Sequence, residues 1–288
     1  MTNQSREGDF YGKRLAVAVE YIDKNLAEPL PLAVLSAKAA FSPNHFHKIF
    51  TQWMGETPQA YLRRCRLERA AALLHYGPGL TVKEIAPKCG FKSPEAFDRA
   101  FHAYFGMTPT EWRSGGYADW NKSSAHLSSA SLGLSHDQVQ IKVFQSCRAI
   151  YKRKIGTYTE GEDALWSELA ELAASLNLRN EGCYGIGLDD PAVTPVNRCR
   201  FDACVQLSPL QSVPNTIPVR AIPGGYYAVL QYSGPAGKTA DHWAWLFQSW
   251  LPQSGFKISQ NACFEHHPLG IPKAGMDVRS ELCLPLVR

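Results

Sequence analysis

Two stretches of this chain, AAFSPNHFHKIFTQWMGETP at 39–58 and CGFKSPEAFDRAFHAYFGMTP at 89–109, share one layout. Each reads as an aromatic residue, Ser-Pro, a polar residue, apolar residues at helical spacing, a glycine and Thr-Pro. A chain that encodes one small object twice must build two alike pieces and join them by something of defined length.

The surrounding pattern says what the object is. Residues 10–26 place Leu15, Val19 and Ile22 on one helical face, and Pro29 ends that helix. LPLAVLSAKAAF is a short helix with Leu32, Leu35 and Ala39 inward. Ser42 stands at an N-cap position with Pro43 opening the next helix. That helix buries Phe46, Ile49, Phe50 and Trp53 and turns Asn44, His47 and Lys48 outward. In the second copy Ser93 caps, Pro94 opens, and Phe97, Ala100, Phe101 and Tyr104 form the stripe. Glu95, Asp98 and Arg99 take the outward places. Two short helices joined tightly, the second with a polar outer face, make a helix-turn-helix. Between the copies, TPQAYLRRCRLERAAALLHYG is a long helix carrying Arg63, Arg64, Arg66 and Arg69. It spans roughly 25 Å, against about 34 Å between successive major-groove faces of B-DNA. The expected first domain is therefore all-α: two helix-turn-helix motifs joined by a long helix, reading two grooves of double-stranded DNA. Pro87, inside the second supporting helix, predicts a looser second motif.

Charge points the same way. Residues 1–113 carry 15 Lys/Arg and 11 Asp/Glu, an excess of +4, whereas residues 114–288 carry 15 of each. All excess positive charge lies with the doubled motif, the sign that phosphate contact needs. The stretch 114–136 is rich in Ser and Gly and reads as a linker between domains at 1–113 and 137–288. The N-terminus has no apolar core of a signal peptide and no run approaches a membrane span, so the expectation is a cytoplasmic, nucleoid-associated protein without membrane contact. Eight scattered cysteines without a CxxC pair read as reduced thiols. No metal, cofactor or catalytic residue is assigned. His45 and His47 point apart on a helix, and the adjacent His266 and His267 read as a loop.

Residues 11–113 resemble the DNA-binding domain of the AraC/XylS family of transcription regulators. The pieces that carry the resemblance are GF at 90–91, SPEAF at 93–97, RAF at 99–101, FG at 105–106 and TP at 108–109. The resemblance implies base contacts by Asn44, His47, Lys48, Glu95 and Arg99. Arg63 and Arg64 serve phosphates or simply the solvated surface. Two readers in one chain make a monomer sufficient, and RNA polymerase is an expected partner.

The second part repeats as well. A shift of 78 residues lays Gly156 on Gly234 and RFDACVQL (200–207) on VRSELCLPL (278–286). Each half reads strand, glycine-bearing turn, helix, strand, strand, so the expected second domain is α+β, a tandem βαββ-type repeat with a groove between its halves. VQIKVFQSCRAIYKRKIG and IPVRAIPGGYYAVLQYSG are read as its two long first strands. Glu281 stands in an apolar strand opposite its repeat mate Ala203. It is either a pocket carboxylate or a residue alternating out to solvent. Aromatic rings around a carboxylate suit a lipophilic cation, and Tyr158, Trp166, Tyr227 and Trp245 are the candidate rings. Trp243, Phe247 and Trp250 form a packing stripe that leaves Trp245 freer. SGPAGKT at 233–239 is not a phosphate loop, because Tyr232 stands where the first glycine belongs. Residues 139–288 resemble the GyrI-like effector-binding domain, known from multidrug-responsive regulators, with RFDACVQL and ELCLPLVR as the telling pieces. The resemblance implies that Glu281 lies in a ligand pocket. Three readings of this domain follow: a sensor of a small, cationic effector, a GyrI-like hydrolase using a glutamate and a tyrosine, or a protein-docking module.

Overall fold

The computed structural model describes residues 3–76, 79–120, 132–158, 160–178, 182–214, 216–235, 238–259, 261–273 and 275–287. Its contacts fall into two units, Met1–Lys122 and Ser123–Arg288.

The first unit is helical. Helices α1 (Asn3–Lys24), α2 (Leu32–Lys38) and α3 (Pro43–Met54) pack with the first half of α4 (Pro58–Tyr76) around Leu15, Ile22, Leu35, Phe46, Phe50 and Tyr61. Each such apolar side chain taken from water stabilises the fold by about 1.5–3 kcal/mol. Helices α5 (Val82–Lys88) and α6 (Pro94–Phe105) have the same lengths as α2 and α3. Both α3 and α6 begin at Pro and end at a left-handed glycine, Gly55 and Gly106. Ser93 accepts a capping bond from Ala96 N–H, whereas Ser42 occupies the cap position without a side-chain bond. Pro87 lies in the last turn of α5, one residue before its end, and a Thr81–Glu84 capping box fixes the start of that helix. Trp53 departs from the expected stripe: it is 49% exposed.

The expected linker starts too early. From the short α7 (Pro109–Glu111) the chain runs on through Trp112–Gly116, kinks at Gly115 (φ +122°) and continues into α8 (Tyr117–Trp120). Trp112 donates to the Ala71 carbonyl at 3.1 Å, and Tyr117 stacks on His75. These rings carry the helical unit past 113 because each aromatic residue is buried against α4 or α6. At the other end Leu132 and Leu134 pack on the second unit. Linker residues 121–131 lie outside the described residues.

The second unit is one antiparallel sheet of nine strands with helices on one face. Its strands are β1 (Val139–Phe144), β2 (Cys147–Ile155), β3 (Cys183–Gly187), β4 (Arg200–Leu207), β5 (Val219–Ile222), β6 (Gly225–Pro235), β7 (Lys257–Ile258), β8 (Phe264–His267) and β9 (Asp277–Val287). Their order is β1-β6-β9-β8-β3-β4-β2-β5, with β7 also on β9. The two stretches read as single long strands each break in two, at Gln145–Ser146 and Pro223–Gly224, and their pieces go to opposite ends of the sheet. The two breaks touch: a Cβ on Gly224 would lie 2.5 Å from Ser146 N and 2.8 Å from Phe144 O. The sheet is therefore curled until its ends meet. Tyr151, Tyr184, Tyr227, Val229 and Phe264 fill the concave side. Helix α9 (Glu162–Ser175) covers the convex side of β2–β4. The α10 (Ala240–Trp245) to α11 (Leu251–Ser254) path covers β6 and β9, widening over Leu246–Trp250 just before Pro252, which has no N–H to give. His266 and His267 belong to β8, so the expected loop is a strand.

The turn between α2 and α3 holds Ala40 at φ +54°, and Gly90 at φ +75° closes the turn between α5 and α6. Ala40→Gly relieves left-handed strain and raises stability by roughly 1 kcal/mol in denaturant unfolding. Gly90→Ala destabilises by more than that, because its Cβ would stand 2.4 Å from Leu26 O.

Candidate functional site

In the first unit the polar residues singled out by sequence lie where helical periodicity puts them. Asn44, His47 and Lys48 on α3 and Glu95 and Arg99 on α6 are exposed, opposite the buried phenylalanines of the same helices. The Glu95 backbone N–H, the Ser93 hydroxyl and the nearby Arg99 hold the Glu95 carboxyl below its usual range. Arg63 on α4 is exposed, but its neighbour Arg64 is buried between Glu56 and Glu68 and is no surface residue. Arg66 is tied to the Leu26 and Glu28 carbonyls.

The five residues expected around one ligand do not share one pocket. Tyr227 is in the concave core and donates to the Pro223 carbonyl. The Tyr158 hydroxyl donates to the Asp189 carbonyl at 2.7 Å, with the Arg200 carbonyl at 3.1 Å, and accepts from Asp189 N–H, which makes it a brace for the 189–200 loop. Trp245, expected to be free, is 1% exposed and packs under α10 against β6 and β9. Of the expected packing stripe, Trp243 and Phe247 are only half-buried, while Trp250 is buried.

Glu281 points to the concave side and is already neutralised. Its carboxylate accepts from Lys142 Nζ at 2.7 Å and Gln231 Nε2 at 3.0 Å, and lies 2.8 Å from His266 Nδ1. Burial alone would raise this carboxyl, but these partners outweigh it and hold it at about 2. Its register mate is not Ala203. Cys283 pairs with Val229 and Phe264 as Cys204 pairs with Tyr151 and Tyr184. Two residues before each, Glu281 pairs with Gln231 and His266, and Asp202 with Arg153 and Ile186. The correspondence is a shift of 79, one more than the 78 read from the glycines, and one residue of slip changes the face. Asp202 is bonded by Arg153 and by Arg220, which comes from β5 as Lys142 comes from β1. Both guanidinium groups outweigh burial and keep Asp202 below its usual value.

Trp166 lies elsewhere, in a cleft on the convex face between the two helices. Glu162 and Trp166 of α9, Phe201 of β4, Glu265 and His267 of β8, Pro272 and Val278 line it. Gly185 stands directly across from Glu265 in the sheet, where a Cβ would lie 2.8 Å from the lining Phe201 ring. The free space is about 10 Å³, enough for one water. Glu265 accepts from Trp243 Nε1 at 3.1 Å. Burial pushes Glu265 up and, together with the Glu265 charge, pushes Glu162 to about 7. Burial pushes His267 down to about 3, and Trp166 meets its ring edge-on at 5.3 Å. Sequence reading passed over Glu162 and Glu265. Alternation could have found Glu265: beside inward Phe264 on a strand, it must face the helices. Among the described residues no group of three or more His, Cys, Asp or Glu is arranged to hold a metal ion. No described helix is long and apolar enough to cross a membrane.

Because the folded pKa of Glu162 lies above its unfolded value, the group favours folding at low pH and loses that contribution as pH rises from about 4.5 to 7. Glu162→Gln is therefore expected to raise stability by roughly 1–3 kcal/mol at pH 8 and to change little at pH 4. Urea unfolding of wild type and variant at the two pH values checks this.

Residues 35–115 match the family described as helix-turn-helix domain, and residues 137–286 match the GyrI-like small molecule binding domain. The probable transcriptional regulator LumQ of Photobacterium leiognathi is 33% identical over 93 residues, 32% of this chain and 37% of that protein. The HTH-type transcriptional activator RhaS of Escherichia fergusonii is 33% identical over 102 residues, 35% of this chain and 36% of that protein. The chain thus spans about a third of the length of the curated relatives it matches. Among solved structures, the DNA-binding domain of AdpA in complex with a target DNA is 30% identical, covering 36% of this chain and 94% of that one with a TM-score of 0.35. The chain belongs to the family of GyrI-like small molecule binding domains, here preceded by an AraC-type helix-turn-helix domain.

Proposed function

We propose that the chain is a DNA-binding transcription regulator whose first unit reads two adjacent major grooves and whose second unit senses a small lipophilic cation in the convex cleft. The observation that carries the ligand is the pair Glu162 and Glu265. Both line one cleft, both are pushed toward the protonated form by burial, and the charge of one raises the other. A cation between them relieves that repulsion, and the Trp166 and Trp243 rings suit its face. Glu281 is the weaker candidate because Lys142 already supplies its counter-charge. With free space for one water, the cleft must open to admit a ligand, so binding moves Trp166 or the Pro272 loop. The repeated layout of two helix pairs, and a sheet order that reads alike from either end, support the doubled design of both units. We read the reader as 1–120, the connector as 121–136 and the effector domain as 137–288. In this reading the protein works as a monomer and contacts RNA polymerase.

The ligand test is tryptophan fluorescence of the full chain, titrated with tetraphenylphosphonium and with neutral triphenylphosphine oxide. Saturable quenching by the cation is expected, lost in Glu265→Gln and kept in Glu281→Gln. The reverse pattern moves the site to the concave face. Mass analysis of the probe afterwards separates sensing from turnover, since a carboxyl near pKa 7 in an apolar cleft also suits general acid chemistry.

For DNA, duplexes selected from a random pool by the wild-type chain provide the probe. Lys48→Ala and Arg99→Ala are each expected to weaken binding by about 1–3 kcal/mol if they touch bases. A phosphate contact instead lowers the salt slope by about one. Unchanged binding by both variants rejects α3 and α6 as readers.

A further inference from the structure

A chain of polar contacts, almost wholly out of water, runs between the ends of α3 and α6. It begins at Glu56, in the turn after α3. Arg64 on α4 donates Nε and Nη2 to Glu56 Oε1 at 2.9 and 2.7 Å. Its Nη1 donates to Glu68 Oε2 at 2.9 Å, one turn further along. The other oxygen of Glu68 accepts from the Tyr104 hydroxyl at 3.1 Å, and Tyr104 stands in the last turn of α6. The side chains of Arg64, Glu56 and Glu68 are 5%, 9% and 8% exposed.

As a source of stability such a chain is poor, because removing charges from water costs about what their attraction returns. Its physical effect is geometric. Apolar contacts tolerate sliding, whereas a chain of directional bonds is satisfied in one arrangement. A second tie leaves α4 on another face, since residues two apart on a helix diverge. Arg66 donates to Leu26 O at 2.8 Å and Glu28 O at 2.6 Å, and Gly90 of the α5–α6 turn packs against the same groups. The long helix is thus pinned to both helix pairs.

We infer that the Glu56–Arg64–Glu68–Tyr104 chain sets the spacing and angle of the two reading helices, and with them the separation of the two DNA boxes the protein accepts. The inference rests on the two-groove reading above. These residues are positioning residues; buried as they are, they act through α3 and α6.

The test is selection from a random-sequence duplex pool by the full chain, by Tyr104→Phe and by Glu56→Gln, one variant at each end of the chain. Tyr104→Phe deletes one hydroxyl and keeps the ring, and circular dichroism with thermal melting checks that each variant folds. Glu20→Ala, which breaks an exposed pair with Lys24 on α1, is the control. Wild type and control are expected to recover two short boxes at one spacing. The variants are expected to recover the same boxes with spacings one base pair longer or shorter, the preference for the original falling about five- to tenfold, the scale of one ordinary hydrogen bond. Variants that keep the single spacing overturn the inference, even if they melt earlier. A wild type that recovers only one box rejects the two-groove reading and this inference with it. The two failures are distinct, one read on the wild type and the other on the variants alone.

Discussion

Asp202 has no exposed surface, and it stays charged because two guanidinium groups from two other strands reach it. A buried carboxylate without such partners would cost several kcal/mol. The requirement fixes much of the second unit. It sets which face β4 turns to the concave side, holds β2 in register with β4, and keeps the edge strand β5 against β2 by a bond that passes over that strand. At the other end of the sheet Glu281 plays the same part with Lys142 from the edge strand β1 and Gln231 from β6. The two carboxylates act as ties that hold the edges of a curled sheet, and the ligand reading turns to the convex side because these charges are already matched.

The convex cleft follows from the same curl. Wrapping the sheet leaves room for α9 and the α10–α11 path side by side on the outside, with the central strands β3 and β8 beneath the gap. Gly185 on β3 and Glu265 on β8 face each other there, so one half gives space and the other gives charge. In the helical unit the corresponding joint is α4, a single element that serves both helix pairs.

Local patterns made the helical unit legible. The 3.6-residue period, Ser-Pro starts and glycine stops located α3 and α6, and the outward residues on both followed from the inward ones. The fate of Arg64 was not legible, because an arginine on a long helix looks alike whether it meets water or two glutamates brought to it by folding. The split of the first long strand was hidden for a similar reason, whereas Pro223-Gly224 marks the second in the sequence. Phe144-Gln145-Ser146-Cys147 carries no Pro or Gly, and the bend there exists because Gly224 packs against it from a distant segment. The one-residue error that matched Glu281 with Ala203 came from carrying the shift that relates β2 to β6 across a segment one residue longer in the second half, and only strand pairing reveals Asp202 as its counterpart.

The exchanged edge strands have a kinetic meaning. Strand β1 finds its partner about ninety residues along the chain, Val139 opposite Leu230, and β2 finds β5 about seventy residues on. Contacts so distant in sequence form only after long loops close, whereas the helix pairs of the first unit need only near neighbours. As the chain leaves the ribosome the reader therefore completes itself early. The first half of the sheet, its edge positions unfilled, waits for the second half to be made, and during that interval its bare strand edges are the part of the protein most in need of a chaperone.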